Sequence, residues 1–206
     1  GELADRYWPM TAADDTRLPV MMLASEALTV VPLTIHEPIA RVPEIITVPR
    51  LTAVARTVCE SLSKDFALTR PRVSITGLNP HAGEFGTIGT EERDVIMPAI
   101  DRLRDEGFDV RGPFSADTLF HAEARESYDA VVTMYHDQAL IPIKTLAFDT
   151  GVNTTIGLPF VRTSPDHGTA FGLAGKGEAR PQSLIAAIQL ASRMVRNRSA
   201  RDGRVR

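Results

Sequence analysis

Three short β-rich runs, 28–34 (LTVVPLT), 72–77 (RVSITG) and 130–135 (AVVTMY), are separated by stretches whose apolar residues recur at helical spacing. Strands and helices that alternate in this way bury their apolar faces by stacking helices against a sheet, so an α/β layer architecture is expected. A further run, 19–23 (PVMML), reads as a strand joined to 28–34 by a tight turn over ASEA. Pro32 cannot donate to a ladder and places the 28–34 strand at a sheet edge. Leu51, Val54, Ala55, Val58 and Leu62 predict an amphipathic helix over 50–64, with Cys59 a small residue beside its stripe. Thr90, followed by Glu91 and Glu92, predicts a capped helix start. That helix carries its stripe on Val95, Ile96, Ala99, Ile100 and Leu103, kinks at Pro98 and stops at Gly107. A short helical stretch is expected around 116–127. From 151 onwards Gly and Pro predict loops around one strand near 153–158. The last helix starts at Pro181, with a stripe of Leu184, Ile185, Ala187, Ile188, Ala191, Met194 and Val195. Residues 1–17 read as an irregular lead-in. Six arginines lie at 193, 196, 198, 201, 204 and 206. The first offsets the helix dipole and the others read as a solvated tail.

The 206 residues, 43% of them hydrophobic, can bury a core without disulfide or metal. With 23 basic against 26 acidic residues the net charge is −3, which argues against a nucleic-acid partner. Cys59 has no second cysteine to pair with, which fits a reducing, cytoplasmic setting. No run reaches the roughly 18–20 apolar residues of a membrane span and no signal-peptide pattern opens the chain, so no membrane association is expected. A start at Gly1 rather than Met is read as a fragment or a processed chain.

Chemistry gathers at strand ends. His36 follows VVPLTI, His81 follows VSITGLNP and His136 follows VVTMY. In open α/β sheets ligands bind outside the carboxyl edge. If the three strands share a sheet, three imidazoles can converge, which is how catalytic divalent metals are held with a position left open. Each histidine alone is more often structural. His121, in a polar stretch, reads as surface. Glycines at 77, 83, 86 and 89 allow a ligand to approach backbone ahead of a helix start, although their spacing is not the dinucleotide fingerprint. Lys144, Asn153 and Arg162 would suit a phosphate or carboxylate if they share a cleft, and are otherwise unrelated surface residues. His167, Gly168, Thr169 and Ala170, together with Gly175, Lys176 and Gly177, form a small-residue loop whose backbone donors could take a cofactor phosphate.

The stretches PVMMLAS (19–25), GLNPHAGE (77–84), GTEE (89–92), GPFSADTLF (112–120), MYHDQALIPIK (134–144) and GVNTTIGLPFVRTSPDHGTAFGLAGKG (151–177) resemble the 4-hydroxythreonine-4-phosphate dehydrogenase family of pyridoxal phosphate biosynthesis. The resemblance implies an isocitrate/isopropylmalate-dehydrogenase-like fold in α/β/α layers, and a homodimer with its active site at the subunit interface. It implies His36, His81 and His136 as ligands of one divalent metal ion (Zn, Mg or Co), with His136 reaching the partner's site. It assigns Lys144, Asn153 and Arg162 to a small phosphorylated amino-acid substrate. It makes Lys144 and Asp117 the catalytic candidates, and gives the cofactor, NAD or NADP, to His167, Gly168, Thr169, Ala170 and Gly175. The implied reaction is metal-assisted oxidation and decarboxylation of 4-phosphohydroxy-L-threonine to 3-amino-2-oxopropyl phosphate. The family's long N-terminal portion, with a substrate-contacting His-Thr pair, has no counterpart here. Residues 1–148 are therefore expected to form the dimerising, metal-binding domain, and 149–206 the C-terminal part of a cofactor domain. The chain by itself is expected to be a poor catalyst. Three alternatives remain open: a related dehydrogenase acting on another hydroxy acid or a dihydrodiol, an acyl-phosphate transferase of similar fold, and a non-catalytic dimerising fragment.

Overall fold

The computed structural model describes residues 18–168, 171–201 and 203. The lead-in 1–17, Thr169, Ala170, Arg204 and Arg206 lie outside the described residues. The strands are β1 (Val20–Ala24), β2 (Thr29–Pro32), β3 (Arg72–Thr76), β4 (Asp109–Phe114), β5 (Ala130–Thr133), β6 (Val152–Ile156) and β7 (Arg162–Pro165). The longer helices are α1 (Val48–Asp65), α2 (Met97–Asp105), α3 (His136–Ala147) and α4 (Gln182–Arg201). All these strands join one sheet in the order β4-β3-β5-β2-β1-β6-β7. β4, β3, β5 and β2 run parallel. β1 is antiparallel to β2 and β6, and β6 to β7.

The β1–β2 hairpin turns at Ser25, whose backbone N–H and hydroxyl both donate to Leu28 O at 3.0 Å. β2 is an interior strand, not an edge. Pro32 is tolerated there because the β1 ladder reaches only Thr29 and Val30, so the missing donor falls beyond it. The parallel strands have near-continuous burial, as both faces are covered. On one face α1 and α2 close over Val31, Val73, Ile75 and Val132. On the other, α3 lays Ala139, Leu140 and Ile143 against Leu23, Val30 and Val131. The result is an α/β sheet between helical layers.

Several expectations need correction. α3 begins at the end of the 130–135 run and continues through Pro142. Its sequence, ALIPI, shows neither period clearly. β4 and β7 are short, polar and Gly- or Pro-containing, and pairing with β3 and β6 stabilises them where propensity does not. The region from 151 thus holds two strands, not one. Thr90 does not cap with its side chain. Its carbonyl accepts from Asp94 N at 2.8 Å, and the helix opens with a π turn, Glu92–Ile96, ahead of Pro98 in the first turn of α2. In α4 only Ala187, Leu190 and Met194 are buried, while Leu184, Ile185, Ile188 and Val195 face outward. Arg198 is no tail residue: it forms a two-pronged ion pair with buried Asp65 at the end of α1, at 2.6 and 3.0 Å.

Candidate active site at the carboxyl edge of the sheet

The β2–β5 pairing continues past the strand ends. Leu33 N donates to Thr133 O at 2.8 Å, and the Thr34 hydroxyl donates to Met134 O at 2.8 Å. Two residues later each segment presents an imidazole, and the His36 and His136 rings lie 5.9 Å apart between centroids. His136 opens α3, with Nδ1 2.7 Å from Asp137 Oδ1. His81 leaves the neighbouring strand β3, and Asp117 follows β4 in the turn Ala116–Thr118. Four adjacent parallel strands thus each deliver one candidate group to the same edge. A hydrogen bond donated by the Ser115 hydroxyl, aided by the charge of His81, holds the Asp117 carboxyl below the usual range, although burial opposes this slightly. The imidazoles are exposed or half-exposed and offer nitrogen donors suited to zinc or cobalt. Among the described residues no group of three His, Cys, Asp or Glu in one chain is positioned to hold an ion. The fit is therefore of a ligand pair, His36 with His136, flanked by His81.

His81 sits in an unusual turn. Backbone φ is positive from His81 through Phe85, at 52°, 51°, 77°, 45° and 59°. Left-handed backbone costs an L-residue about 1–2 kcal/mol, and four of these five are not glycine. A polar clamp underlies the turn. Glu92, 4% exposed, accepts from Leu78 N at 2.7 Å and Asn79 N at 2.8 Å through Oε1, and from Asn79 Nδ2 at 3.0 Å through Oε2. Gln138, in α3, accepts from the Thr76 hydroxyl and from Met134 N, both at 2.8 Å, and donates to Gly77 O at 2.9 Å. This clamp accounts for most of the glycines that the sequence suggested would face a ligand. A Cβ at Gly83 would lie 2.4 Å from Glu92 Oε2, and one at Gly89 2.1 Å from Asn79 Nδ2. Glycine there makes room for the clamp.

Strand alternation decides which substrate candidates share a face. Asn153 pairs with Leu23 and Ser164, and Thr155 with Met21 and Arg162. Leu23 packs against α3, so Asn153 and Arg162 lie on the α3 side. α4 takes the opposite side, where the Thr163 hydroxyl donates to Ala187 O. Lys144 projects from α3 and is held by Asp166 at 2.8 Å, with the Phe148 ring 5.6 Å away. Arg162 donates to the Thr155 hydroxyl at 2.8 Å. Lys144 lies eight residues along α3 from His136, about 12 Å at 1.5 Å per residue. The three candidates thus share a side of the sheet, with Lys144 set back from the imidazoles.

Next to Lys144 a cavity of about 330 Å³ opens between Asp166, His167, Gly168 and the start of α4 at Gln182 and Ser183. His167 Nδ1 is 2.8 Å from Gly168 O. Gly175 has φ +75° and open space around it. Of the expected cofactor loop, Thr169 and Ala170 fall outside the described residues. His121 is exposed and its Nδ1 accepts from Ala124 N at 3.4 Å, capping the short helix Ala122–Arg125. Sequence reasoning missed Glu92, Gln138 and Asp166. Glu92 carries one signal in the sequence, a second carboxylate at the start of a helix, which reads as a dipole contact.

Residues 10–191 match the family model described as pyridoxal phosphate biosynthetic protein PdxA. A 4-hydroxythreonine-4-phosphate dehydrogenase from Methylorubrum extorquens strain PA1 is 62% identical over 86% of this chain and 51% of its own length. One from Ruegeria sp. strain TM1040 is 59% identical over 87% of this chain and 55% of its own. The chain spans about half the length of the curated relatives it matches. Among solved structures, a 4-hydroxythreonine-4-phosphate dehydrogenase from Klebsiella pneumoniae superposes with a TM-score of 0.80 at 39% identity, covering 94% of this chain and 60% of that one. A terephthalate 1,2-cis-dihydrodiol dehydrogenase from Burkholderia xenovorans LB400 gives 0.70 at 33% identity, over 85% and 55%. The layered sheet is thus an α/β dehydrogenase-like fold.

Proposed function

The chain belongs to the PdxA family of pyridoxal phosphate biosynthesis, and from that premise we propose that it serves in the metal-dependent, NAD- or NADP-linked oxidation and decarboxylation of 4-phosphohydroxy-L-threonine to 3-amino-2-oxopropyl phosphate. The observation that carries this reading is the delivery of His36, His81 and His136 to one edge by three adjacent parallel strands. A bound divalent ion (Zn, Mg or Co) supplies Lewis acidity that lowers the pKa of a secondary hydroxyl. The nicotinamide supplies the hydride acceptor. The chain's own residues do the rest. Arg162 and Lys144 neutralise the anionic substrate groups, and Asn153 orients them by hydrogen bonds. Asp117, kept ionised by Ser115, accepts the hydroxyl proton, and Lys144 returns a proton after CO2 leaves. His167, Gly168 and Gly175 serve the cofactor side. Residues 1–148 serve dimerisation and metal binding, and 149–206 the cofactor, with the active site at the interface of a homodimer. Among the described residues no three such groups of one chain are placed to hold an ion, which favours a ligand from the partner.

Zinc or cobalt titration of single alanine variants tests the ligand set. Each of His36→Ala, His81→Ala and His136→Ala should weaken binding at least tenfold, because a direct ligand should matter no less than a supporting residue worth 10–100-fold. His121→Ala should bind as the parent does. Unchanged affinity in all three would overturn the reading. The dihydrodiol dehydrogenase among the similar structures favours a second reading, oxidation of a dihydrodiol. Nicotinamide reduction with each substrate separates the two.

A further inference from the structure

The buried carboxylate of Glu92 lies beneath the His81 turn and takes no part in the proposed reaction. We propose that Glu92 is a positioning residue for His81: it presets the imidazole for metal by locking the Leu78–Asn79 segment from which the left-handed turn departs. The proposal rests on the metal-binding reading above and extends it to a residue outside the ligand set.

Three observations carry it. First, the backbone leading to His81 is held at several points, and the Asn79 amide also donates to Glu91 Oε2 at 2.7 Å. Gly77 N donates to Phe114 O at 2.8 Å and Gly77 O accepts from Gln138. Leu78 N, Asn79 N and the Asn79 amide all converge on Glu92. Asn79 O then accepts from Ala82 N at 3.2 Å, which starts the turn. Second, the turn runs through five residues of positive φ. A free chain leaves such backbone for the right-handed or extended regions, so its shape depends on what holds its base. Third, the space around the carboxylate is cleared by glycine. A Cβ on Gly77 would come within 2.9 Å of Oε1, and one on Gly83 within 2.4 Å of Oε2. Sequence and packing thus converge on a carboxylate at this place. Its three donors are neutral amides. Glutamine keeps the shape of glutamate but turns one acceptor into a donor, which then opposes either Asn79 Nδ2 or the two backbone N–H groups.

The experiment is a double-mutant cycle read by cobalt affinity and by the visible absorption of bound cobalt. Glu92→Gln should weaken cobalt binding at least tenfold, and the spectrum should lose the intensity contributed by His81. In the His81→Ala background Glu92→Gln should change affinity less than twofold, because its effect runs through that imidazole. An equal loss in both backgrounds would mean general destabilisation and would overturn the proposal. So would a parent-like affinity in Glu92→Gln. If His81→Ala itself binds as the parent does, His81 is no ligand and the proposal falls together with that assignment. A full His81→Ala effect beside a silent Glu92→Gln sinks only the proposal. Should Glu92→Gln fail to fold, Asn79→Ala removes one arm of the clamp and leaves the carboxylate its backbone donors. The same dependence on His81 is expected of it, and its absence would overturn the idea.

Discussion

Cys59 sits inside α1 against the sheet, 1% exposed, and burial pushes its thiol up to about 12, with the nearby Glu60 charge adding to the shift. Burial also raises Tyr128 to about 12, and its hydroxyl donates to Leu119 O at 2.9 Å. A group whose folded pKa lies above its unfolded value stabilises the fold fully below the unfolded value and loses that contribution as pH rises through the folded one. For Cys59 the window runs from 9.0 to about 12. Denaturant midpoints should fall across that range, and less steeply in Cys59→Ala than in the parent. A matching slope in the two would refute the assignment. At this scale the sequence was legible where a side chain follows a strand, since position after a strand is itself a local signal. That is why His36, His81 and His136 could be singled out. Glu92 and Gln138 were not legible, because their partners lie on backbone that only the folded turn brings near.

Among the elements, the amphipathic helices and buried parallel strands could be read because periodicity survives in short windows. α3 could not, with Pro142 in its interior and an apolar run shared by both templates. β7 could not either, since RTSP has little strand propensity and owes its place to pairing with β6. The exposed half of the α4 stripe shows the converse: helical spacing reports an apolar face but not what covers it. α4 is pinned to α1 through Asp65, which is 1% exposed and accepts from an Arg198 side chain only 12% exposed. Asn197 Nδ2 adds a 2.7 Å bond to Asp65 O. Removing one member of a buried pair strands the other charge, so Arg198→Ala should cost about 3–5 kcal/mol in chemical denaturation. Asp65→Asn combined with Arg198→Met should recover part of the loss. A loss under 1 kcal/mol in Arg198→Ala would show that the pair is solvated in solution.

For the whole molecule, the layered architecture followed from alternation, whereas the strand order did not, because nothing local says that β5 inserts between β3 and β2. On α3, Ile141 is 65% exposed beside His136, and Phe148, just past the far end of the helix, is 68% exposed. Apolar residues at the mouth of a site suit a covered surface, and two-fold pairing is the commonest way to cover one. Sedimentation velocity should find a dimer at micromolar concentration and a shift to monomer in Ile141→Asp. A monomeric parent would contradict the dimer reading. The bond between Thr34 and Met134 spans 100 residues, and this has a kinetic consequence. Closing so long a loop is slow compared with forming helices and local hairpins. The paired imidazoles therefore exist only once β5 has docked beside β2. Zinc present during refolding should not hasten the main phase, and metal capture should lag behind the recovery of helical signal.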